Sequence, residues 1–350
     1  MTNSLPNSLP TPRTPDPQSA PALRWGVLGT GWIAEGFFDA MHRSTRQRLV
    51  AVGSRTREKG EDFARRHGAG RTHVGYEALA ADPEVDIVYV ATPHSEHLAN
   101  ALLAIEAGKP VLLEKAFTRN TAEARQVLDA ARAAGVAVME AMWTRFLPSM
   151  DIVRQLLADG ALGEVETVFA DHGQWFKPEP KFRLFDPAQA GGAMLDLGVY
   201  PVSFSHFVLG APGRIQAAGS KAFTGVDRQI SAVLSGYDGP AQALINTTLA
   251  AKTPTVALIS GATARLEIPG AFYAPQRIRL ISRDDTVVES PEPAIAGHNG
   301  LCHEAAHFAT LVAEGRTESD LLPWSETLAV METIDELRRQ VGALLPGEQL

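Results

Sequence analysis

Leu23-Arg24-Trp25-Gly26-Val27-Leu28-Gly29-Thr30-Gly31-Trp32-Ile33-Ala34 runs from an apolar stretch through two glycines into residues suited to open a helix. A strand that empties into G-x-G-x-x-A is the turn used by dinucleotide-binding βαβ units. Gly29 permits the tight turn, and Gly31 lets the main chain approach a pyrophosphate. Ala34 allows close helix–strand packing, while the helix N-terminus faces the phosphates. Gly29, Thr30, Gly31, Trp32 and Ile33 are therefore the first cofactor-binding candidates. Such a pattern also recurs in purely structural turns, and its strand–turn–helix setting is what gives it weight here.

Working outward, short apolar runs alternate with amphipathic stretches up to Met139. After the first strand come Arg48–Ser54, Asp86–Thr92, Pro110–Lys115 and Val136–Glu140. Helix-like segments lie between them, two of which end at Gly108 and Gly135 as C-caps. Thr121, two residues before Glu123, gives only an approximate capping signal. Nearly continuous apolar strands in repeated β–α–β order predict a parallel sheet covered on both faces. After Trp143 a helix over Met150–Asp159 leads to successive strand-like runs with turn-rich links, an open, mostly antiparallel sheet. Two helices close the chain, from about His303 to Glu314 and from about Ser325 to Val341. The expected class is α/β. A Rossmann domain spans residues 23–142 and an α+β substrate-binding domain spans residues 143–350.

Residues 1–22 hold six prolines with Ser, Thr and Asn and no apolar core, and read as a disordered tail rather than a signal peptide. The 350 residues suit two domains, and 45% hydrophobic with 21% charged residues is a globular balance. A formal charge of −8 with no evident basic surface argues against a nucleic-acid partner. Cys302 is the single cysteine, which excludes an internal disulfide and fits a reducing cytoplasm. No apolar run approaches a membrane span.

The second strand ends Gly53-Ser54-Arg55-Thr56-Arg57 without the carboxylate that NAD-preferring domains use on the ribose. Ser54 and Arg55 suit a 2′-phosphate, which favours NADP(H) over NAD(H). The competing reading makes both arginines solvated helix-start residues. Thr92, Pro93 and His94 follow a strand whose carboxyl end lines the cofactor crevice. His94 and His97 without further partners are not assigned to a metal. Glu114 and Lys115 end the next strand at the same crevice, and two readings stand. One is a structural ion pair, the other a lysine that takes part in proton transfer.

In Gly191-Gly192-Ala193-Met194-Leu195-Asp196-Leu197-Gly198-Val199-Tyr200, Asp196 and Tyr200 share one helix face at i and i+4. Two glycines ahead of that helix would allow close approach to a ligand. Tyr200 reads either as an acid/base group or as a core residue with its hydroxyl at the rim. His303-Glu304-Ala305-Ala306-His307 matches the zinc pattern H-E-x-x-H, with Glu326 as a conceivable third ligand. Phe308, Leu311 and Val312 already give that helix a core face, so no metal is assigned.

Together GTGWIA, ATPHSEH, LLEKA, MEAMWTRFLP, GGAMLDLGVYPVSF and HNGLCHEAAHF resemble the Gfo/Idh/MocA oxidoreductase family, from Leu23 to about Val341. Within it the chain is most similar to the dihydrodiol dehydrogenase, D-xylose dehydrogenase and glucose–fructose oxidoreductase branch, which carries tyrosine where inositol dehydrogenases have histidine. The resemblance implies that Lys115 lies close to the nicotinamide and the reacting oxygen, that Tyr200 is the general acid/base, and that Asp196 orients the substrate or the dyad. It places Trp143 and Arg145 beside the substrate, a cyclic alcohol or sugar. It also implies NADP(H) use and a homodimer formed through the second sheet. Ala116 stands where the family motif has proline, which removes one constraint on the backbone after Lys115. The rival to an enzyme is a non-catalytic sensor of dinucleotide or sugar on the same fold, and the intact Lys115 and Tyr200 argue against it.

Overall fold

The structure, a computed structural model, describes residues 5–348. Its contacts divide the chain into two units. The first holds residues 15–146 and 297–328, and the second holds residues 5–14, 147–296 and 329–348.

The first unit is a six-stranded parallel sheet with helices between the strands. In chain order these are β1 (Arg24–Leu28), α1 (Trp32–Ser44), β2 (Arg48–Ser54), α2 (Arg57–His67), β3 (Arg71–Val74), α3 (Glu77–Ala80), β4 (Ile87–Val90), α4 (His97–Glu106), β5 (Val111–Glu114), α5 (Thr121–Ala134) and β6 (Val138–Ala141). Strand order β3-β2-β1-β4-β5-β6 reverses direction next to β1, the switch point at which such sheets bind ligands. β4, β5 and β6 are buried along their whole length, as strands covered on both faces must be. β3, sequence RTHV, escaped the sequence reading because an edge strand of mixed polarity has no apolar run. Helix α5 is capped by Asn120, whose side chain accepts the Glu123 N–H at 3.0 Å, so the cap lies one residue before Thr121.

The second unit contains α6 (Pro148–Ala158), β7 (Val165–Gly173), α7 (Val199–Leu209), β8 (Arg214–Lys221), β9 (Asp227–Ser235), β10 (Gln242–Thr248), β11 (Ala257–Gly261), β12 (Ala264–Ile268), β13 (Arg279–Ser282) and β14 (Val287–Glu289). Its eight strands run β14-β13-β12-β11-β7-β10-β9-β8, antiparallel throughout except for the parallel pair β7–β10. Helix α7 packs on β7 and β10.

Three features depart from the sequence reading. Residues 5–22 are not an unstructured tail: Arg13 presents its backbone N–H and guanidinium to Asp151 of α6, at 2.7 and 2.9 Å. Further along, Pro17–Ser19 form a 3₁₀ turn capped by Asp16, and buried Gln47 donates to Pro21 O at 2.6 Å. Proline gave this stretch its disordered look, but fixed φ angles also make an extended strap cheap to order. The 3₁₀ turn Trp143–Phe146 belongs to the first unit, which moves the expected boundary from 142/143 to 146/147. The helix carrying His303–His307, α8 (Leu301–Ala313), also belongs to the first unit rather than the second domain. It packs on α1, and its Phe308 ring lies 6.3 Å from that of Trp25 in β1. The last helix, α9, is Trp324–Gln340. Among the described residues no helix is long and apolar enough to cross a membrane.

Candidate active site

In the first unit the fingerprint glycines divide their work. Gly29 has φ +100°, and a Cβ there would lie 2.6 Å from Ala91 O, so β1 and β4 close together only around glycine. Gly31 has ordinary φ −81°, and a Cβ there would meet nothing within 4 Å. That clearance, at the N-cap of α1, fits a pyrophosphate lying against backbone N–H groups. Ala34 is fully buried, as close helix packing requires. Gly29→Ala is expected to lower Tm, because a left-handed residue costs about 1–2 kcal/mol in addition to the overlap. Gly31→Ala is expected to leave Tm unchanged and to weaken nicotinamide-dinucleotide binding about tenfold, ~1.4 kcal/mol. Thermal melts and a fluorescence titration check the pair.

Ser54 is buried, and its hydroxyl accepts the Thr56 N–H at 3.4 Å. Arg57 pairs with Glu61 along α2, the role of a solvated helix-start residue. Arg55 is exposed at the end of β2, beside half-buried Tyr76, whose phenol feels its charge.

Around Lys115 the backbone is gripped from several sides. Glu114 Oε2 accepts the Lys115 N–H at 3.2 Å, while Glu114 Oε1 accepts the Tyr89 hydroxyl at 2.5 Å. His94 Nε2 accepts the Ala116 N–H at 3.2 Å. His97 turns Nδ1 to the carbonyls of Ala116 and Phe117 at 3.1 Å, and Nε2 to Thr92 O at 2.9 Å. The Lys115–Ala116 peptide is cis. The constraint that alanine was expected to lose is thus supplied by two imidazoles. His94 and His97 bind main chain, and burial holds His97 below its ordinary pKa. Thr92 Oγ1 accepts from Asn100 at 3.1 Å, tying the preceding loop to α4.

Trp143 is buried and stacks on His298, ring centroids 5.8 Å apart at 12°. Trp32, 63% exposed, meets the same imidazole edge-on at 6.0 Å. Arg145 is buried, with its guanidinium 2.5 Å from Glu326 Oε1 and 3.4 Å from Leu321 O, so it braces this unit's interior. Glu326 is thereby engaged by arginine, and His307 Nε2 by Ser319 Oγ at 2.8 Å. Among the described residues no three His, Cys, Asp or Glu side chains are grouped to hold a metal.

In the second unit Asp196 lies in a π-helical turn, Met194–Gly198, that runs directly into α7 at Val199. Single π turns inside helices recur at functional sites. Tyr200 stacks on Tyr273 with centroids 4.6 Å apart, and His172 of β7 completes the cluster at 5.4 Å from Tyr200 and 4.6 Å from Tyr273. Gln174 Nε2 lies 3.0 Å from His172 Nε2. Asp196 Oδ1 accepts from Arg183 Nη2 at 2.9 Å. Burial first, and then the Asp196 charge, raise the Tyr273 phenol above its ordinary range. The two glycines before the turn serve the protein rather than a ligand. A Cβ on Gly191 would lie 2.6 Å from Arg183 O, and one on Gly192 would run into Asp227 Oδ1. Trp175 is 62% exposed, and Phe176 packs on Phe182 at 5.8 Å.

His298, Tyr273, His172 and Arg183 were missed by the sequence reading. His298 sits in the quoted HNG segment, so its motif was visible although its stacking role was not. The others meet Tyr200 or Asp196 only through the tertiary fold.

A parallel sheet that opens at its switch point onto a glycine cradle, with a lysine at the end of β5, defines an NAD(P)-dependent dehydrogenase or reductase. The chain belongs to the Gfo/Idh/MocA oxidoreductase family. Residues 23–142 match its NAD-binding Rossmann fold and residues 150–270 match its C-terminal domain. The chain is 33% identical to trans-1,2-dihydrobenzene-1,2-diol dehydrogenase of Sus scrofa over 94% of its own length and 99% of the relative's. It is 36% identical to D-xylose 1-dehydrogenase (NADP(+)) of Hypocrea jecorina, with 93% of each chain covered. Among solved structures, aldose-aldose oxidoreductase from Caulobacter crescentus superposes with a TM-score of 0.82 at 26% identity, covering 92% of this chain and 98% of that one.

Proposed function

We propose that this protein is an NADP(H)-dependent oxidoreductase that transfers a hydride between the nicotinamide and a secondary alcohol or hemiacetal carbon of a cyclic substrate, an aldose or a trans-dihydrodiol. Tyr200 and Lys115 serve as the acid/base pair, and Asp196 orients the substrate. The observation that carries the reading is Lys115 at the carboxyl end of β5, its main chain fixed by His94 and Glu114, on a sheet whose Gly31 leaves clearance for a dinucleotide. When bound, the nicotinamide accepts or returns the hydride. An isolated tyrosine ionises near 10, and a neighbouring ammonium brings it toward neutrality. Trp143, stacked on His298, supplies an aromatic wall for a ring substrate. Arg145 acts from behind, holding the segment that carries Trp143 through its Glu326 pair.

Arg55, exposed and beside Tyr76, is the proposed reader of the 2′-phosphate. The relatives named above include one whose name specifies NADP(+), which supports that choice. Reduced-nicotinamide absorbance with NADP⁺ and then NAD⁺, across aldoses, cyclitols and trans-dihydrodiols, tests the proposal. Turnover of a ring alcohol upholds it. Tight NADPH binding with silence across the panel means a substrate outside the panel or a sensor, and silence with no NADPH binding overturns the reading. Arg55→Glu is expected to lower the NADP⁺ to NAD⁺ ratio of kcat/KM by about 10–100-fold, the worth of one hydrogen bond to a charged group. An unchanged ratio removes Arg55 from the cofactor site.

The partly exposed face of the second sheet, where Leu244 is 39% exposed, is the proposed homodimer surface. Light scattering of the purified protein reads the mass directly. A reducing cytoplasm is the proposed compartment, in keeping with the lone Cys302, whose thiol burial pushes up to about 12.

A further inference from the structure

We propose that Arg183 is a positioning residue for this chemistry: its guanidinium holds Asp196 in place and offsets part of the carboxylate's charge beside Tyr200. The inference rests on the reading of Tyr200 as the acid/base group.

Backbone geometry seats the arginine before its side chain is considered. Arg183–Phe185 form a 3₁₀ turn, and Gly192 donates to Leu184 O at 2.9 Å while Gly191 donates to Asp186 O at 3.0 Å. At Gly191 a Cβ would stand 2.6 Å from Arg183 O and 2.7 Å from Leu184 O, so only glycine lets the turn lie this close. Gly192, at φ +125°, packs on Asp227, whose Oδ2 accepts the Met194 N–H at 2.6 Å and starts the π turn. The glycine pair therefore presses the Arg183 turn against the segment that carries Asp196. From there Arg183 Nη2 reaches Asp196 Oδ1 at 2.9 Å, with the carboxylate side chain 10% exposed and the guanidinium 35%.

The electrostatic consequence follows from the surroundings. Tyr200 is four residues on from Asp196, one turn along the same helix face. An unneutralised carboxylate at that range raises a phenol's pKa, and the effect already reaches Tyr273. Ionisable groups against the cluster include His172 of β7 and Tyr273 from the segment between β12 and β13, while Asp227 of β9, beside Gly192, feels the charge of Arg338 in α9. Asp171 is turned away, toward the N–H groups of Thr255 and Val256. Arg183 thus places a cation directly on the Asp196 carboxylate.

The test is the pH profile of kcat/KM, with NADP⁺ and the best ring alcohol, for Arg183→Gln, Arg183→Lys, Asp196→Asn and the double variant Arg183→Gln/Asp196→Asn. In Arg183→Gln the acid limb is expected to move up by about one pH unit, with Arg183→Lys returning part of the shift. The double variant is expected to bring the limb back toward its original position, whatever its absolute rate, because no charge remains to neutralise. A uniform loss of rate with an unmoved limb, or a double variant displaced as far as Arg183→Gln, would overturn the inference and leave Arg183 a structural brace. Tyr200→Phe separates the two levels. If that variant is fully active, the parent reading fails. If it is dead while the Arg183→Gln limb has not moved, only the present inference fails.

Discussion

Tyr200→Phe is expected to lower kcat by about 10²–10⁴-fold, the usual worth of a general acid/base, while the dinucleotide dissociation constant stays within a few-fold. The substitution keeps the ring, and with it the stack on Tyr273 at 4.6 Å and the contact with His172 at 5.4 Å. What it removes is one hydroxyl, so a loss confined to turnover isolates proton transfer. Lys115→Met is the companion. The Lys115 N–H is held by Glu114 Oε2, and the following amide by His94 Nε2, so the chain keeps its path when the ammonium is deleted. Methionine retains most of the length and none of the charge. Stopped-flow absorbance at the nicotinamide band separates the chemical step from cofactor binding. Either variant with unimpaired turnover sinks the acid/base assignment. A variant that loses cofactor binding in parallel would make its residue a binding group.

The fold was legible because its evidence is local. The apolar run into Gly29 and Gly31 sets β1, its turn and α1, and the next buried strands repeat the same grammar. β2 matched at both ends, whereas edge strand β3 had too little apolar character to register. Candidate site residues inside motifs, such as Lys115 and Tyr200, could be proposed from sequence for the same reason. Those that depend on distant chain segments were not. Arg183 reaches Asp196 through a turn docked on two glycines, Tyr273 arrives from beyond β12, and His298 and Trp143 are far apart in sequence. Gly191 and Gly192 show the ambiguity best. Glycine announces a close approach, but only the fold reveals that the approaching groups are Arg183 O and Asp227 rather than a ligand. The prolines of residues 5–22 misled in the opposite sense, since their partners Asp151 and Gln47 lie far along the chain.

Glu304→Gln is expected to raise Tm at pH 8, and the gain is expected to shrink as the pH falls toward 4. Glu304 is fully buried in α8, and neither carboxyl oxygen has a hydrogen-bond partner. Burial above all, and then the nearby Glu114 charge, hold its pKa well above the ordinary carboxylate range. Glu114 takes donors from Tyr89 and from the Lys115 N–H, so the charge of the two carboxyls settles there and Glu304 keeps its proton. The unfolded chain releases that proton near pH 4.3. Between that value and the raised folded pKa the native state binds more protons than the unfolded state, so this group's contribution to stability falls as pH rises. Glutamine is neutral in both states and removes the penalty, with Tm rising roughly 2–4 °C for each kcal/mol recovered in a domain of this size. The substitution also separates two chemistries. In a zinc peptidase the glutamate of H-E-x-x-H is the general base and its loss ends activity. In the dehydrogenase proposed here, Glu304→Gln keeps full turnover and only the melting curve moves. Burial supports that outcome, since it also pushes His303 down to about 4, while His307 is held by Ser319 and packed on Phe146. A Tm that falls at pH 8 would show that Glu304 is ionised and paired in the native protein, and a gain that does not vary between pH 8 and pH 4 would show that its pKa is not raised by folding.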